Sequence, residues 1–593
     1  MANYYGYPYI ALTGGADNAL DSLDGSLLKD GDFAVVVVPA TKRTYIYTLD
    51  EDSGATEDGL NIISPDANAG DKRWILTNSP SVSSNYASYY GANGNGVEND
   101  RTAIAAADAA VTGAIYFSAG TYLISTSLTI SSPIVMEPEA KFSIASGQTL
   151  TINNNVFSGQ NQIFTGDGAV AFGTSSNREV HAEWFGSIQK AVNSLPSSAF
   201  STGTISHGGG VVRFGGTYTI STPVQLRNSI ALIGYGPNSL INITGENEGV
   251  EFVKTGAEEI VTGCLLKDFA ITGDATSNQV GVSAYNLCRS KIENVIIRNC
   301  ANTGVYMLSN IGTILDNVYV FDCAAGITLT SEADNESNGN TIRECYVSQC
   351  SGVGITITEG AGGSKNNRVV STVSEYNAGN LIIYGGYGNV VDGCYFEGCS
   401  SGYSVIIDEN ADTSELSYGT IIQNCFSMEQ YFINVRGANH TRLLSNRTNH
   451  ASGQITLEPE AVWTKIVDRD WIPVISDSSA FRAEEAWQRS IVMADDSFYA
   501  FTMPNAHQNN AAIIAVTSGI AASSGVVFVD PDTPSSAVIA AGAAIAVATG
   551  ALNGTTGTDA KLTISAHATD KKVYIENRLG GTIQLGFSIL IGV

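Results

Sequence analysis

Glu375 and Glu397 stand at corresponding places in two similar segments, VVSTVSEYNAGNLII and VDGCYFEGCSSGYSVII. Breaking a glycosidic bond takes two carboxyl groups: one protonated, to give its proton to the leaving oxygen, and one that acts on water or on the anomeric carbon. If the two segments stack at one strand spacing, the pair comes to about 5 Å. At that distance like-charge repulsion raises the pKa of one member and separates the two roles. Asp392 and Glu429 lie at nearly the same height and are alternates for either carboxylate. Tyr395 and Tyr346 are expected to contact sugar, as are Asp408 and Glu332, with Asp334 and Glu409 beside them in acidic loops. Every one of these acids also has a plainer reading as a solvated surface group, because the chain carries 57 Asp and Glu.

Elimination beside a uronate carboxylate is the competing chemistry, and it would use Lys, Arg, His or Tyr as base, often with a cation. The chain has 6 His, and of these only His440 and His450 lie near the segments that hold the acids. The sequence has no HExxH, Walker loop, GxSxG elbow or calcium loop. Hydrolysis is therefore favoured over elimination, and neither a metal nor a cofactor is expected.

What must position these acids is a repeat. From residue 264 to about 450 the sequence recurs every 21 to 32 residues or so, as expected of a solenoid. The turns align as IENVIIRNCANTGVYM, LDNVYVFDCAAGITL, IRECYVSQCSGVGITI, the two segments quoted above, and IIQNCFSMEQYFINV. Cys300, Cys323, Cys350 and Cys399 fall in one column, and Cys345, Cys394 and Cys425 in another. Alternation along each strand then sends Val295/Ile297, Val318/Val320, Cys345/Val347, Thr372/Ser374 and Cys394/Phe396 inward. The same parity sends Ile296, Tyr319, Tyr346, Val373, Tyr395 and Phe426 outward. An outward aromatic ladder serves as a subunit interface or as a sugar platform. Loops at 330–340, 359–367 and 408–419 leave the repeat at similar positions and suit the wall of a glycan groove.

Composition narrows the partners. A net charge of -27 leaves no basic face for nucleic acid or an anionic membrane, whereas a neutral glycan is easily bound. With 44% hydrophobic and 15% charged residues, 62 Gly and 14 Pro, the composition favours an all-β chain. The 9 cysteines are odd in number and lack a CxxC, which points to free buried thiols. The opening MANYYGYPYIALTGG lacks a basic stretch followed by an apolar one, so a soluble protein delivered by some other carrier than the general secretory route is expected.

One further segment carries a resemblance. YYGANGNGVENDRTAIAAADAAVTGAIYFSAGTYLIST resembles the opening of the pectate-lyase-like right-handed β-helix superfamily as found in bacteriophage tailspikes, through Gly91, Ala92, Gly94, Gly96, Asp100, Thr102, Ala103, Ile104, Gly113, Gly120 and Tyr122. Asn95 replaces the usual Asp and Ser118 a frequent Pro. The role of this segment is structural: a short helix, N-capped by Asn99 or Asp100, whose apolar side plugs the end of a coil. A partial second copy, EVHAEWFGSIQKAVNSL followed by GGGVVRFGGTY, is similar to the same opening.

The resemblance implies an all-β chain built on a right-handed parallel β-helix, flanked by a small N-terminal β-rich adaptor and a C-terminal β-sandwich. The expected boundaries are 1–80, 81–470 with the family opening at 89–130, and 471–593, with one coil running from 85 to about 460. It further implies a homotrimer on a virion tail, attached through the N-terminal module, that binds and depolymerises capsular polysaccharide or lipopolysaccharide O-chains. A lyase tailspike and a non-enzymatic receptor-binding spike are the alternatives. A secreted pectate-lyase-like enzyme is disfavoured by the adaptor-like N-terminus.

Overall fold

The computed structural model describes residues 4–592, apart from 15–16, 39–42, 79–83, 197–199, 202–203, 206–207, 254–259, 277, 334, 401, 412–413, 451–453, 459–460, 463, 468–473, 477–486, 503–510, 519–520 and 532. It falls into two compact units, Met1–Asn177 and Arg178–Val593. The expected boundaries near residues 80 and 470 fall outside the described residues.

In the first unit, strands Tyr4–Tyr9, Phe33–Val38, Arg43–Asp50, Arg73–Asn78 and Ile62–Ile63 form one sheet in that spatial order, antiparallel except for its first pair. Alternation places Ala34, Val36, Tyr47, Leu49 and Trp74 in its core. Further on, three columns of parallel strands begin with Ile115–Phe117, Asn95–Asn99 and Leu128–Ile130. Phe117 and Phe142 meet inside with ring centroids 4.8 Å apart.

The helix Arg101–Ala110 forms where expected, with Ile104 and Ala107 buried. Its cap differs from expectation. Asp100 makes no side-chain cap bond; its carboxylate, 2% exposed, accepts from the backbone N–H groups of Asn93 at 2.6 Å and Leu123 at 3.1 Å. Asp100 thus ties the preceding glycine turn to the coil, while Asn99 Oδ1 accepts from the Arg101 N–H at 3.3 Å.

The second unit is dominated by a right-handed parallel β-helix whose strands run from Glu179–His181 to Val474–Ser476. Its turns have three faces. The first face is a column through Ile314–Asp316, Thr341–Arg343, Arg368–Val370, Val390–Asp392 and Ile421–Gln423. The second runs through Tyr319–Phe321, Tyr346–Ser348, Val373–Glu375, Tyr395–Glu397 and Phe426–Ser427. The third runs through Glu248–Phe252, Val280–Tyr285, Thr303–Leu308, Ala325–Thr330, Val353–Thr358, Gly379–Tyr384 and Val405–Asp408.

Inward residues of the second face are buried throughout, with Val295, Val320, Val347, Ser374 and Phe396 all at 0% exposure. Corners are closed by ladders of buried amides. The Oδ1 atoms of Asn340, Asn367 and Asn389 accept from the backbone N–H of Thr313, Asn340 and Asn367 at 2.9 to 3.0 Å, which pairs polar backbone that the turn would otherwise strand. All nine cysteines are free thiols, seven of them buried. Burial pushes the Cys345 and Cys350 thiols up to about 12, so they act as small apolar fillers. The loops expected at 330–340, 359–367 and 408–419 each follow a third-face strand.

After the coil, Trp487–Met493, Ile583–Gly592, Ala512–Thr517, Gly525–Asp530 and Ser535–Ala541 make one sheet, and Ser497–Thr502, Lys572–Asn577, Leu562–His567 and Ile545–Thr549 a second. The sheets meet through Phe501 and Phe587, with ring centroids 5.2 Å apart.

Candidate carbohydrate site

Five successive turns of the coil bend between their second and third faces at a residue held in the left-handed region. Asn299, Asp322, Gln349, Tyr376 and Gly398 occupy successive corners, with φ from 55° at Tyr376 to 64° at Gly398. Tyr376 lies across Gly398, where an added Cβ would sit 2.4 Å from the ring. This corner therefore needs a glycine, and the packing carries the Tyr376 ring to the end of the second face beside Glu397.

The outward column of that face is continuous. Ile296, Tyr319, Tyr346, Val373, Tyr395 and Phe426 are successive Cα partners. Tyr319 and Tyr346 have ring centroids 5.9 Å apart, and Tyr395 stacks on Phe426 at the same distance, 5.9 Å. At the end of the strand, Ser348, Glu375 and Glu397 are partners in the same way, so the two glutamates sit one rung apart.

Both carboxylates accept from tyrosine. The Tyr346 hydroxyl donates to Glu375. The Tyr395 hydroxyl donates to Glu397 Oε2 at 2.6 Å and that of Tyr376 to Oε1 at 3.3 Å. The Glu397 carboxylate holds the Tyr395 phenol up at about 12, chiefly through this hydrogen bond. Its charge raises Tyr376, and Glu375 likewise raises Tyr346. The three phenols are thus fixed as donors. Among the described residues neither glutamate enters an ion pair.

Glu429 joins this cluster: its carboxylate accepts from the Gly398 N–H at 2.5 Å. Asp392 does not. It lies on the first face, between Val370 and Gln423, and its carboxylate accepts from the amides of Gln423 and Asn424, each at 2.9 Å. Gly393, with φ 64°, turns the chain between Asp392 and Tyr395 and so sends the two side chains to different faces. Asp408 and Glu332 are likewise apart from the pair, Asp408 at the end of a third-face strand and Glu332 in a loop that follows one. Asp408 faces Arg436 at 3.6 Å and accepts from the Gly437 N–H at 3.2 Å. The Glu332 N–H donates to Ser309 Oγ at 2.9 Å. Asp334 lies outside the described residues.

Two groups gave no signal in the sequence. Tyr376 follows Glu375 directly and reads as a turn residue; its corner position would have been visible only by aligning it with Asn299, Asp322 and Gln349. Glu359 reads as a loop acid but is 7% exposed, accepts from the Gly386 N–H at 2.7 Å, and is raised above its usual range by burial. Among the described residues no group of three His, Cys, Asp or Glu is placed to hold a metal ion. No described helix is long and apolar enough to cross a membrane.

Residues 239–375 match the family model described as "Right handed beta helix region". No curated protein matches the chain in sequence. Among solved structures, ORF18 of Geobacillus virus E2 is similar at 14% identity, covering 94% of this chain and 95% of its own, with a TM-score of 0.41. The Dettilon tailspike protein gp208 is similar at 11% identity over 85% of this chain and 94% of that one, with a TM-score of 0.31. The A-module of the Azotobacter vinelandii mannuronan C-5 epimerase AlgE6 is similar at 11% identity over 68% of this chain and 100% of that one, also with a TM-score of 0.31.

Proposed function

We propose that the chain is a phage tailspike that binds a bacterial surface polysaccharide, capsule or O-chain, and hydrolyses it with Glu375 and Glu397. One observation carries this reading. Two carboxylates stand in register on adjacent rungs of an outward tyrosine column, each held by tyrosine hydroxyls and neither, among the described residues, by a cation.

One rung is about 4.8 Å, close to the separation of about 5 to 5.5 Å found between the two carboxyl groups of retaining glycosidases. Two hydroxyl donors suit the group that must attack as an anion, so Glu397 takes the part of nucleophile and Glu375 that of proton donor and, later, base. Tyr346, Tyr395 and Tyr376 orient the carboxylates, and the ladder offers aromatic faces to sugar rings. Elimination is less well served, because phenols held high by neighbouring carboxylates are poor bases at neutral pH. Trimerisation, attachment to the virion tail through the N-terminal sheet, and action at the bacterial surface belong to the same proposal.

The test incubates the purified chain with polysaccharides from a panel of strains. New reducing ends with retained anomeric configuration are expected. Unsaturated uronate products would make it a lyase, and binding without products would make it a receptor-binding spike. Light scattering should give a mass near three 62.2 kDa chains; a mass near one chain would remove the trimer from the proposal.

A further inference from the structure

A second feature of the coil lies on the third face, at least two rungs along the axis from Glu375, or about 10 Å. Strands Glu248–Phe252, Val280–Tyr285 and Thr303–Leu308 line a groove of about 540 Å³. That volume falls within the range of about 300 to 1,000 Å³ usual for sites of small ligands.

The groove is built around a hydroxyl. Val282 and Ala284 point into the core, so Ser283 between them points out, into the groove, yet it is 1% exposed. Its neighbours on adjacent rungs are Glu251 and Tyr306. Ser283 Oγ makes no hydrogen bond of ordinary length and angle, although the Glu248 carboxyl lies close enough to interact with it. A buried hydroxyl without a well-formed hydrogen bond is destabilising, and a ligand oxygen that reached it would relieve this.

Tyr285 and Tyr306 meet edge to face, with centroids 6.0 Å apart, and form an aromatic side. Asn302 donates to Asn278 at 2.8 Å and accepts from Thr303 at 2.9 Å, which fixes an amide rim. Glu246 and Glu248 give the lining negative charge, so an anionic ligand is repelled. Burial, reinforced by the charge of Glu251, raises the Glu248 carboxyl above its usual range. An aromatic side, a fixed amide rim and a hydroxyl beside a carboxyl at the base fit a ring that carries both C–H and O–H groups.

We infer that this groove is a second saccharide site, separate from the Glu375–Glu397 rungs, which takes a neutral, hydroxyl-rich sugar unit against Tyr285 and Tyr306 with one ring hydroxyl bonded to Ser283. The inference rests on the reading of the chain as a polysaccharide binder and narrows its ligand to a glycan bearing a neutral unit.

The test titrates the full chain with neutral oligosaccharides of gluco-, galacto-, manno- and rhamno-configuration, with uronate oligomers and a lysine-rich peptide as controls. Tyr306→Ala should weaken neutral-sugar binding at least about tenfold, Ser283→Ala about three- to tenfold, and Asp316→Asn, on the first face, should leave this affinity unchanged. If Tyr306→Ala does not fold, Ser283→Ala alone carries the test, since it removes one outward oxygen. No neutral-sugar binding by the unaltered chain, or binding only of uronates or peptide, overturns the inference. Equal binding in both groove variants also overturns it, placing the sugar elsewhere while leaving the proposed function standing. Loss of binding in these variants by a chain that cleaves no polysaccharide would instead uphold the groove and end the hydrolase reading.

Discussion

Strand Lys291–Arg298 belongs to two faces at once, and the columns that pass through its two halves treat carboxylates in opposite ways. On the first face Glu293 and Asp316 are neutralised by cations, while Asp392 accepts from amides. Glu293 lies 2.8 Å from Lys267 and from Lys291, and Asp316 lies 2.7 Å from Lys291 and from Arg343. On the second face Glu375 and Glu397 have tyrosine hydroxyls instead. A cation answers the charge and leaves little for a ligand to do. A hydroxyl fixes the carboxylate's orientation and leaves its charge in place, which is what an acid that acts on a substrate requires. In a chain with 57 Asp and Glu, the proposed pair stands out by the identity of its partners.

This contrast breaks most sharply in a reciprocal pair of variants. Glu397→Gln and Glu375→Gln keep shape and some hydrogen bonding but lose the charge, so cleavage should fall at least about a hundredfold with glycan binding retained. Asp316→Asn should leave cleavage unchanged. Turnover by the two glutamine variants equal to that of the unaltered chain would end the assignment and turn attention to Glu429. Loss of the trimer in either variant would show that these acids are structural as well.

A smaller effect tests the hydroxyls. Tyr346→Phe removes the donor to Glu375 and Tyr376→Phe the weaker, 3.3 Å donor to Glu397. Each hydrogen bond to a charged group is worth about 1.5 to 3 kcal/mol at most, so turnover should drop about tenfold for Tyr346→Phe and less for Tyr376→Phe. The affinity for polysaccharide should change little in both. Equal and negligible effects on turnover would mean that the tyrosines serve only as a packing ladder.

Much of this arrangement was legible in the sequence because side chains along a strand alternate with a strict period of two. Once Cys345, Cys394 and Cys425 were aligned, the parity of Glu375 and Glu397 and the inward set ending at Phe396 followed. Where the backbone turns a corner that logic stops. The sequence puts Asp392 at the height of the pair, and in height it is close, but the left-handed Gly393 puts it on another face. Tyr376 comes beside Glu397 for the same reason, carried there by a corner no alternation rule describes. Asp100 fits the pattern of a cap residue and serves the glycine turn instead, a choice fixed by contacts with Asn93 and Leu123 and not by the helix. The groove around Ser283 was invisible because its walls come from three turns of unequal length, and the burial of a serine depends on what stacks above and below it.

The mildest test of the comparison is the pH dependence of the first-face column. Arg343, and after it Lys291, hold the Asp316 carboxyl at about 2, below its ordinary 3.8. A carboxyl whose pKa is lowered by folding adds stability that is present above about pH 4 and is lost as the pH falls through about 2. Arg343 is 44% exposed, so solvent and salt screen much of the attraction and the pair contributes at most about 1 kcal/mol. The urea midpoint of the unaltered chain should therefore exceed that of Asp316→Asn by a small margin at pH 6 and converge with it at pH 2, and added salt should narrow the gap at pH 6. A gap that persists unchanged at pH 2 would mean that Asp316 stabilises the coil by packing and not by charge. The first face would then no longer serve as the neutralised reference against which Glu375 and Glu397 stand out.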